Sequence, residues 1–506
     1  MFKKIVSSSI MRLFVGPGLL LFLVSYSLIA CVSIGNRCEA CGPPPGYNPD
    51  VTPMVDANGI LYYIVHTTLY AFQDRSGTML WHYTNPALDH DTPVVSDGRV
   101  YMDMNVVDNS NGDQGGVWVY ALGAGTGQVL WHTRISTSLP EIFPAEPQVI
   151  GGIVYAQPSG ASYGSTLFAL RGSDGKVLWH EDLSSDGESP TLMLATSQIA
   201  YLDTSSSNTD TALARRASDG ALLWQHTFPS CHAYSEPIVN TTLYISTGCT
   251  NSGGVDAFQA ETGKLLWHVS LPDGLVSTIP TNTVVYIDDA ANPSPGTDRF
   301  FAVDANSGQI LWRRDIPQQS AAADTRIWAA NEDAVYTTMN GVWYVLAARD
   351  GEQLWKFPAG GRLGIDPLEP IYMQSWLHSF ALVYVPANQQ LNAFQADTGK
   401  LKWSFELPAG EYWNSNILFF QGVIYLNARM INQEGVQQNL RQQDIYAIEA
   451  DTGKVLWHRV EAEQVQVITQ YGIYFALVTG QPYHYTYSVL ALQADSGKPA
   501  WVYQNL

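Results

Sequence analysis

Residues Ile445 to Trp457 read IYAIEADTGKVLW, and the fold follows from how this stretch is built. Ile445-Tyr446-Ala447-Ile448 has the composition of a strand. Asp451-Thr452-Gly453-Lys454 is a turn: Asp and Thr side chains bond back to the backbone, and Gly supplies a positive φ. Val455-Leu456-Trp457 is the returning strand. The segment is a β-hairpin closed by a tight glycine turn.

The same arrangement, Ala-x5-Gly-x3-Trp, recurs along the chain. It appears as Ala71/Gly77/Trp81, Ala121/Gly127/Trp131, Ala169/Gly175/Trp179, Ala214/Gly220/Trp224 and Ala257/Gly263/Trp267. It continues as Ala302/Gly308/Trp312, Val345/Gly351/Trp355, Ala393/Gly399/Trp403, Ala447/Gly453/Trp457 and Ala491/Gly497/Trp501. Successive glycines lie 43 to 54 residues apart. That period, with strand-like flanks, marks a closed array of small β-sheets. A large flat side chain once per unit reads as packing between neighbouring units, with the small residue of the preceding strand leaving it room.

A second strand pair precedes each hairpin. Examples are Gln148-Val149-Ile150 before Ile153-Val154-Tyr155, and Pro93-Val94-Val95 before Val100-Tyr101. Glu236 to Val239 before Leu243-Tyr244-Ile245 is a third. Four short strands per repeat make a propeller blade, and no stretch after residue 50 sustains a helical period. The expectation is an all-β chain: one β-propeller of up to ten four-stranded blades over residues 51–506. Because propellers usually have four to eight blades, an eight-bladed ring with two irregular units, or two smaller rings, are the alternatives.

The hairpins resemble the tryptophan-docking repeat of quinoprotein-type (PQQ-like) β-propellers, A-x-D-x-x-x-G-K-x-x-W. The copies AFQAETGKLLW (257–267), AFQADTGKLKW (393–403) and AIEADTGKVLW (447–457) carry the likeness. The third-position Asp of that motif survives only as Asp304. Elsewhere it is Gln73, Gln259, Gln395, Gln493, Glu449, Gly123, Arg171, Arg216 or Ala347, which reads as drift in a structural position. The resemblance implies one of two branches. One is the quinone-dependent dehydrogenases; the other is non-catalytic extracytoplasmic lipoproteins, similar to the barrel-assembly lipoprotein of bacterial outer membranes. Fold alone does not choose between them.

Residues 1–31 read as an export signal or membrane anchor. Lys3, Lys4 and Arg12 precede an uncharged, mostly apolar run from Leu13 to Ala30 that ends Leu28-Ile29-Ala30-Cys31. This end fits a bacterial lipobox and makes Cys31 the expected lipidation site; an uncleaved helix and simple secretion are the alternatives. Residues 32–50, with Cys38, Cys41 and a proline-rich stretch, read as a tether. Contact with the membrane is expected through the N-terminus only, on the extracytoplasmic side of the cell membrane. Residues 1–30 hold three basic and no acidic residues, so the rest of the chain carries a net −23. That sign excludes nucleic acid as a partner.

Five cysteines leave four once Cys31 is set aside. A hairpin turning at Asn240 would bring Cys231 opposite Cys249, so a disulfide is expected there. Cys38-x-x-Cys41 lacks the setting of a redox pair.

The dehydrogenase branch implies an adjacent Cys-Cys pair and a calcium site. The chain has no adjacent cysteines, and no residue is carried over as catalytic. No cofactor is expected; quinone with calcium belongs to the alternative. His82, His132, His180, His268 and His458 each follow a motif tryptophan and read as a polar structural slot. Acidic residues recur just ahead of the first strand of several units: Asp91, Glu146, Glu188, Glu236 and Glu369. In a propeller these positions border the channel mouth, where they would favour a metal ion or a cationic partner. The functional expectation is a membrane-tethered, non-enzymatic scaffold that binds an extracytoplasmic protein or membrane complex. A quinone- or metal-dependent oxidoreductase, and a solute- or carbohydrate-binding ectodomain, are the alternatives.

Overall fold

A computed structural model describes residues 54–88, 92–106, 115–136, 146–158, 166–182, 190–205, 209–229, 231–235, 238–249, 253–272, 275–290, 296–319, 325–358, 382–387, 389–430, 443–461, 465–481, 484–504 and 506. These form ten antiparallel sheets in chain order, spanning 55–84, 94–134, 148–181, 190–229, 231–271, 275–317, 326–358, 382–406, 411–461 and 465–503. We call them blades 1 to 10. Each has four strands in sequence order, except blade 8, which has three among the described residues.

The motif builds each blade by register. Its Ala or Val lies directly across from its tryptophan, as in Ala71↔Trp81, Ala257↔Trp267 and Val345↔Trp355. Immediately after that pair the register shifts in every blade, from Ala71/Phe72 in blade 1 to Ala491/Leu492 in blade 10. The extra residue bends the last strand around the turn.

The tryptophans join the blades. Trp267 is 7% exposed and donates its indole N–H to the carbonyl of Ala305 in blade 6 at 2.9 Å. The same bond recurs at every junction: Trp81 to Ala124, Trp131 to Gly172, Trp179 to Ala217, Trp224 to Ala260, Trp312 to Ala348, Trp355 to Ala396, Trp403 to Ala450 and Trp457 to Ala494. Trp501 of blade 10 completes the cycle on Asp74 of blade 1. The ring is therefore closed and has ten blades, beyond the usual range. Ten apolar clusters accompany these bonds, one per junction.

The motif glycine serves two ends at once. Gly308 has φ +70°, as the turn demands, and a Cβ there would lie 2.8 Å from Cδ2 of Trp267. The indole of one blade lies flat on the bare turn of the next. The drifted third position also has a use. Asp304 accepts from the backbone N–H and hydroxyl of Ser307. Gln259 and Gln395 accept from Thr262 and Thr398, and Gln493 accepts from Ser496. In Arg171–Asp174 and Arg216–Asp219 the polarity is reversed and the link is kept. Most of the turns carry a polar link between these two positions, made by several chemistries; Gly123 and Ala347 show that the turn also forms without it.

Candidate functional site at the loop rim

The two rims of the ring are built differently. At one rim the first and second strands meet in tight turns with left-handed backbone, such as Asn58-Gly59, Asp97-Gly98, Gly151-Gly152 and Gln421-Gly422. The ten motif turns lie at this same rim. The opposite rim carries every other connection. Second and third strands are joined there by residues 107–115, 157–166, 291–296 and 431–442, and successive blades by 135–147, 182–189, 318–325 and 359–381 among others. The longest connections and the widest variation in length fall on this loop rim. A shallow cleft of about 240 Å³ opens on it between blades 6 and 7, bordered by Arg314, Asp315, Gln319, Met339, Asn340 and Tyr344.

A layer of polar side chains runs along the second strands. A tyrosine stands on the second strand of every blade, opposite the motif Ala or Val: Tyr62, Tyr101, Tyr155, Tyr201, Tyr244, Tyr286, Tyr336, Tyr384, Tyr425 and Tyr474. Tyr62, Tyr101, Tyr384 and Tyr474 donate to the same carbonyl that receives the tryptophan. Two residues further on stand Asp103, Gln157, Asp203, Ser246, Asp288, Thr338 and Asn427. Several of these reach the first strand of the next blade. Gln157 donates to the carbonyl of Pro190 at 2.6 Å, Ser246 meets the Thr278 hydroxyl at 3.3 Å, and Asp288 accepts from the Ile327 N–H at 3.1 Å.

Ionisable groups concentrate at the junction of blades 6 and 7. Asp289 is fully buried and lies 3.8 Å from the Arg299 guanidinium. Asp298 is 1% exposed and accepts from Gln318 at 2.8 Å. Burial pushes the Asp288 carboxyl up to about 7; Asp298 and Asp289 add to this, while the Ile327 N–H and Arg326 oppose it. Its Oδ1 is buried without a hydrogen-bond partner. Arg326 lies 4.4 Å over the ring of Trp328, which stacks on Trp343 and donates to the Thr338 hydroxyl. A buried carboxyl that exchanges its proton near neutrality beside an aromatic pair is chemistry the repeat itself does not require.

Of the five expected channel-mouth acids, Glu146 is described. It precedes the first strand of blade 3, and its Oε1 accepts from the backbone N–H of Thr92 at 3.2 Å, tying two leading segments together. Asp91, Glu188, Glu236 and Glu369 lie outside the described residues, as does Cys31. Cys231 stands directly across from Cys249 at the loop rim of blade 5, and Cys231 is disulfide-bonded. The outgoing strand there is Cys231–Ser235 rather than 236–239; Val239 keeps an isolated bridge to Thr242. The histidines after the motif tryptophans have local partners. His82, His132, His180 and His458 lie against Tyr70, Tyr120, Phe168 and Tyr446 across the strand pair. His268 bonds Asp256 at 2.8 Å and Ser270 at 2.7 Å. Among the described residues no three or more His, Cys, Asp or Glu side chains are grouped to hold a metal ion, and no helix is long and apolar enough to cross a membrane. The tyrosines and the Asp288 group were not anticipated from sequence.

The family model described as outer membrane protein assembly factor BamB matches residues 65–291, 251–365, 297–418 and 387–506. The chain belongs to this family of PQQ-like β-propellers. Its relatives differ in their named activities. Tetrathionate hydrolase of Acidithiobacillus ferrooxidans is 25% identical over 423 residues, covering 78% of this chain and 70% of that protein. Outer membrane protein assembly factor BamB of Yersinia pestis is 28% identical over 202 residues, 38% of this chain and 47% of the relative. Quinohemoprotein alcohol dehydrogenase ADH IIB of Pseudomonas putida is 25% identical over 263 residues, 40% of this chain and 36% of the relative. The chain thus spans less than half of the last two. Among solved structures, BamB from Moraxella catarrhalis aligns with 70% of this chain and 95% of its own at 14% identity and a TM-score of 0.36.

Proposed function

We propose that this protein is a non-enzymatic scaffold that presents its loop rim to an extracytoplasmic protein or membrane complex. One observation carries the reading: the recurring residues serve turns and junctions, while the longest and most variable connections fall on one rim. A rigid ring with one variable rim is how propellers present binding surfaces. The outer strands, near the tight-turn rim, offer a further apolar surface. Leu222 and Leu223, Leu265 and Leu266, and Ile310 and Leu311 stand 37% to 49% exposed as side-by-side pairs, and repeated apolar surface of this kind suits protein contact. The named role of the assembly-factor relatives points the same way.

The tether belongs to the same proposal. Cys31 becomes the first residue of the mature chain and carries lipid, and residues 32–50 hold the ring near the membrane. A mature N-terminus that still contains Lys3 and Lys4, read by mass spectrometry, would mean a helical anchor instead.

A second reading is an enzyme working from the junction of blades 6 and 7. Asp288 favours it, because a carboxyl that titrates near neutrality is suited to general acid–base work, and a hydrolase and dehydrogenases are among the relatives. Purified protein separates the two readings. The scaffold predicts no turnover of tetrathionate, and no quinone-dependent oxidation of alcohols with calcium present. Turnover that is lost in Asp288→Asn would establish the enzyme.

A further inference from the structure

Blades 1 and 10 come from opposite ends of the described chain, and no strand is exchanged between them. Among the described residues, side chains close the ring. Trp501 and Tyr474 both donate to the Asp74 carbonyl, at 2.8 and 3.1 Å. Phe72 packs against Trp501 and Tyr503, and the Arg75 guanidinium lies 3.9 Å over the ring of Tyr471.

This junction differs from the other nine in one respect. The residue that accepts the tryptophan bond is elsewhere Ala, or Gly at position 172; here it is Asp74, with its side chain 1% exposed. As in blades 1 and 8, where the residues are Ile64 and Pro386, the position two beyond the second-strand tyrosine is apolar in blade 10, Ala476, so no polar side chain there reaches the first strand of blade 1. In place of that link, blade 1 sets two carboxyls close together. Asp56 on its first strand lies near enough to Asp74 for the charges to repel, and Oδ2 of each is buried without a hydrogen-bond partner.

The surroundings offer little compensation. Tyr62 and Tyr474 face the pair as neutral phenols held up by burial. Gln73 reaches Asp74 Oδ1 at 3.4 Å. The neighbouring first strand of blade 2 brings Val94, Val95 and Ser96, none of them charged, and in the turn that follows Arg99 donates to the backbone carbonyl of Asp97. Arg75 is the cation that borders the junction, and it is engaged on Tyr471.

We propose that the junction of blades 10 and 1 is a proton-operated latch: with Asp56 protonated the ring is held shut, and with Asp56 and Asp74 both ionised the junction loosens and becomes the place where the ring opens. The direction follows from the carboxyl pair. Burial first, and the Asp74 charge second, push Asp56 up to about 7. The closed ring therefore holds a proton that the opened junction releases. Closure is favoured in mild acid and lost as pH rises through neutrality.

Hydrogen exchange of the full-length protein at pH 5.5 and pH 8.5, corrected for the intrinsic pH dependence of exchange, reads the junction directly. Peptides from 68–84 and 484–503 are expected to lose protection at the higher pH, up to about tenfold per pH unit for one proton. The blade 5 hairpin at 253–271 is expected to change far less. Asp56→Asn should abolish the difference. Asp74→Ala removes the lesser of the two causes and should reduce the difference, and because it installs the residue used at most other junctions it should fold even where Asp56→Asn does not. A junction no more responsive than blade 5 would overturn the latch, as would a pH response undiminished in Asp74→Ala.

Discussion

Trp501 donates its indole N–H to the carbonyl of Asp74, 427 positions earlier in the chain, at 2.8 Å. It is the same bond that Trp267 makes to Ala305 within the chain's middle. Ring closure thus uses no special device for docking. It reuses the repeat's own joint, and what sets the closing junction apart is the residue that supplies the carbonyl.

If the joints carry the fold, breaking one should be felt by the whole ring. Trp267→Ala removes a buried aromatic and its bond to Ala305, and should lower unfolding free energy by about 3–5 kcal/mol. Gly308→Ala should also destabilise, because the new Cβ meets the same indole and the backbone there is left-handed. Urea unfolding followed by tryptophan fluorescence measures both. A Trp267→Ala variant with an unchanged midpoint would contradict the packing account.

The buried carboxyl of Asp288 sets a pH trend. Its folded-state value is pushed up to about 7, well above the 3.8 it has when free. The folded state therefore binds the extra proton, and this group's stabilisation is present in full below about pH 4 and lost as pH rises to 7. The urea midpoint of the native protein should fall between pH 5 and pH 8. Asp288→Asn keeps an acceptor for the Ile327 N–H without the charge, and should flatten that fall. An equal slope in the variant would show that Asp288 does not carry it.

The ring was legible in the sequence because its joints lie within one hairpin. Gly and Trp of each motif keep a fixed spacing whatever happens elsewhere in the blade. The tyrosine that shares the joint stands at no fixed distance from them: Tyr62 precedes Ala71 closely, whereas Tyr101 is separated from Ala121 by residues 107–115. Register across a strand pair places it, and loop length hides it from a one-dimensional reading. Asp288 was hidden for a different reason. In Val284 to Asp289 it reads as the polar end of a strand, and its burial depends on Ile327 and Asp298, which only the fold brings alongside. The acidic positions ahead of the first strands were chosen by recurrence alone; the described one, Glu146, is engaged with a backbone N–H.

At blade 5 the register sets Cys231 against Cys249. A bridge between them would fasten the innermost strand to its neighbour at the loop rim. Peptide mapping without reduction should recover the two cysteines linked. Cys231→Ser should lower stability by about 3 kcal/mol, the scale for a loop of roughly this size. Finding both as free thiols in exported protein would exclude the bridge.

The claim that the loop rim is the binding surface is tested most directly by photo-crosslinking in the protein's own membrane. A photoreactive residue at Gln319, exposed on the loop rim beside the cleft of blades 6 and 7, is compared with one at Ser218, exposed on the tight-turn rim. The scaffold account predicts a discrete protein adduct from Gln319 and none from Ser218. Adducts of equal yield from both rims, or none from Gln319 in intact membranes, would contradict it.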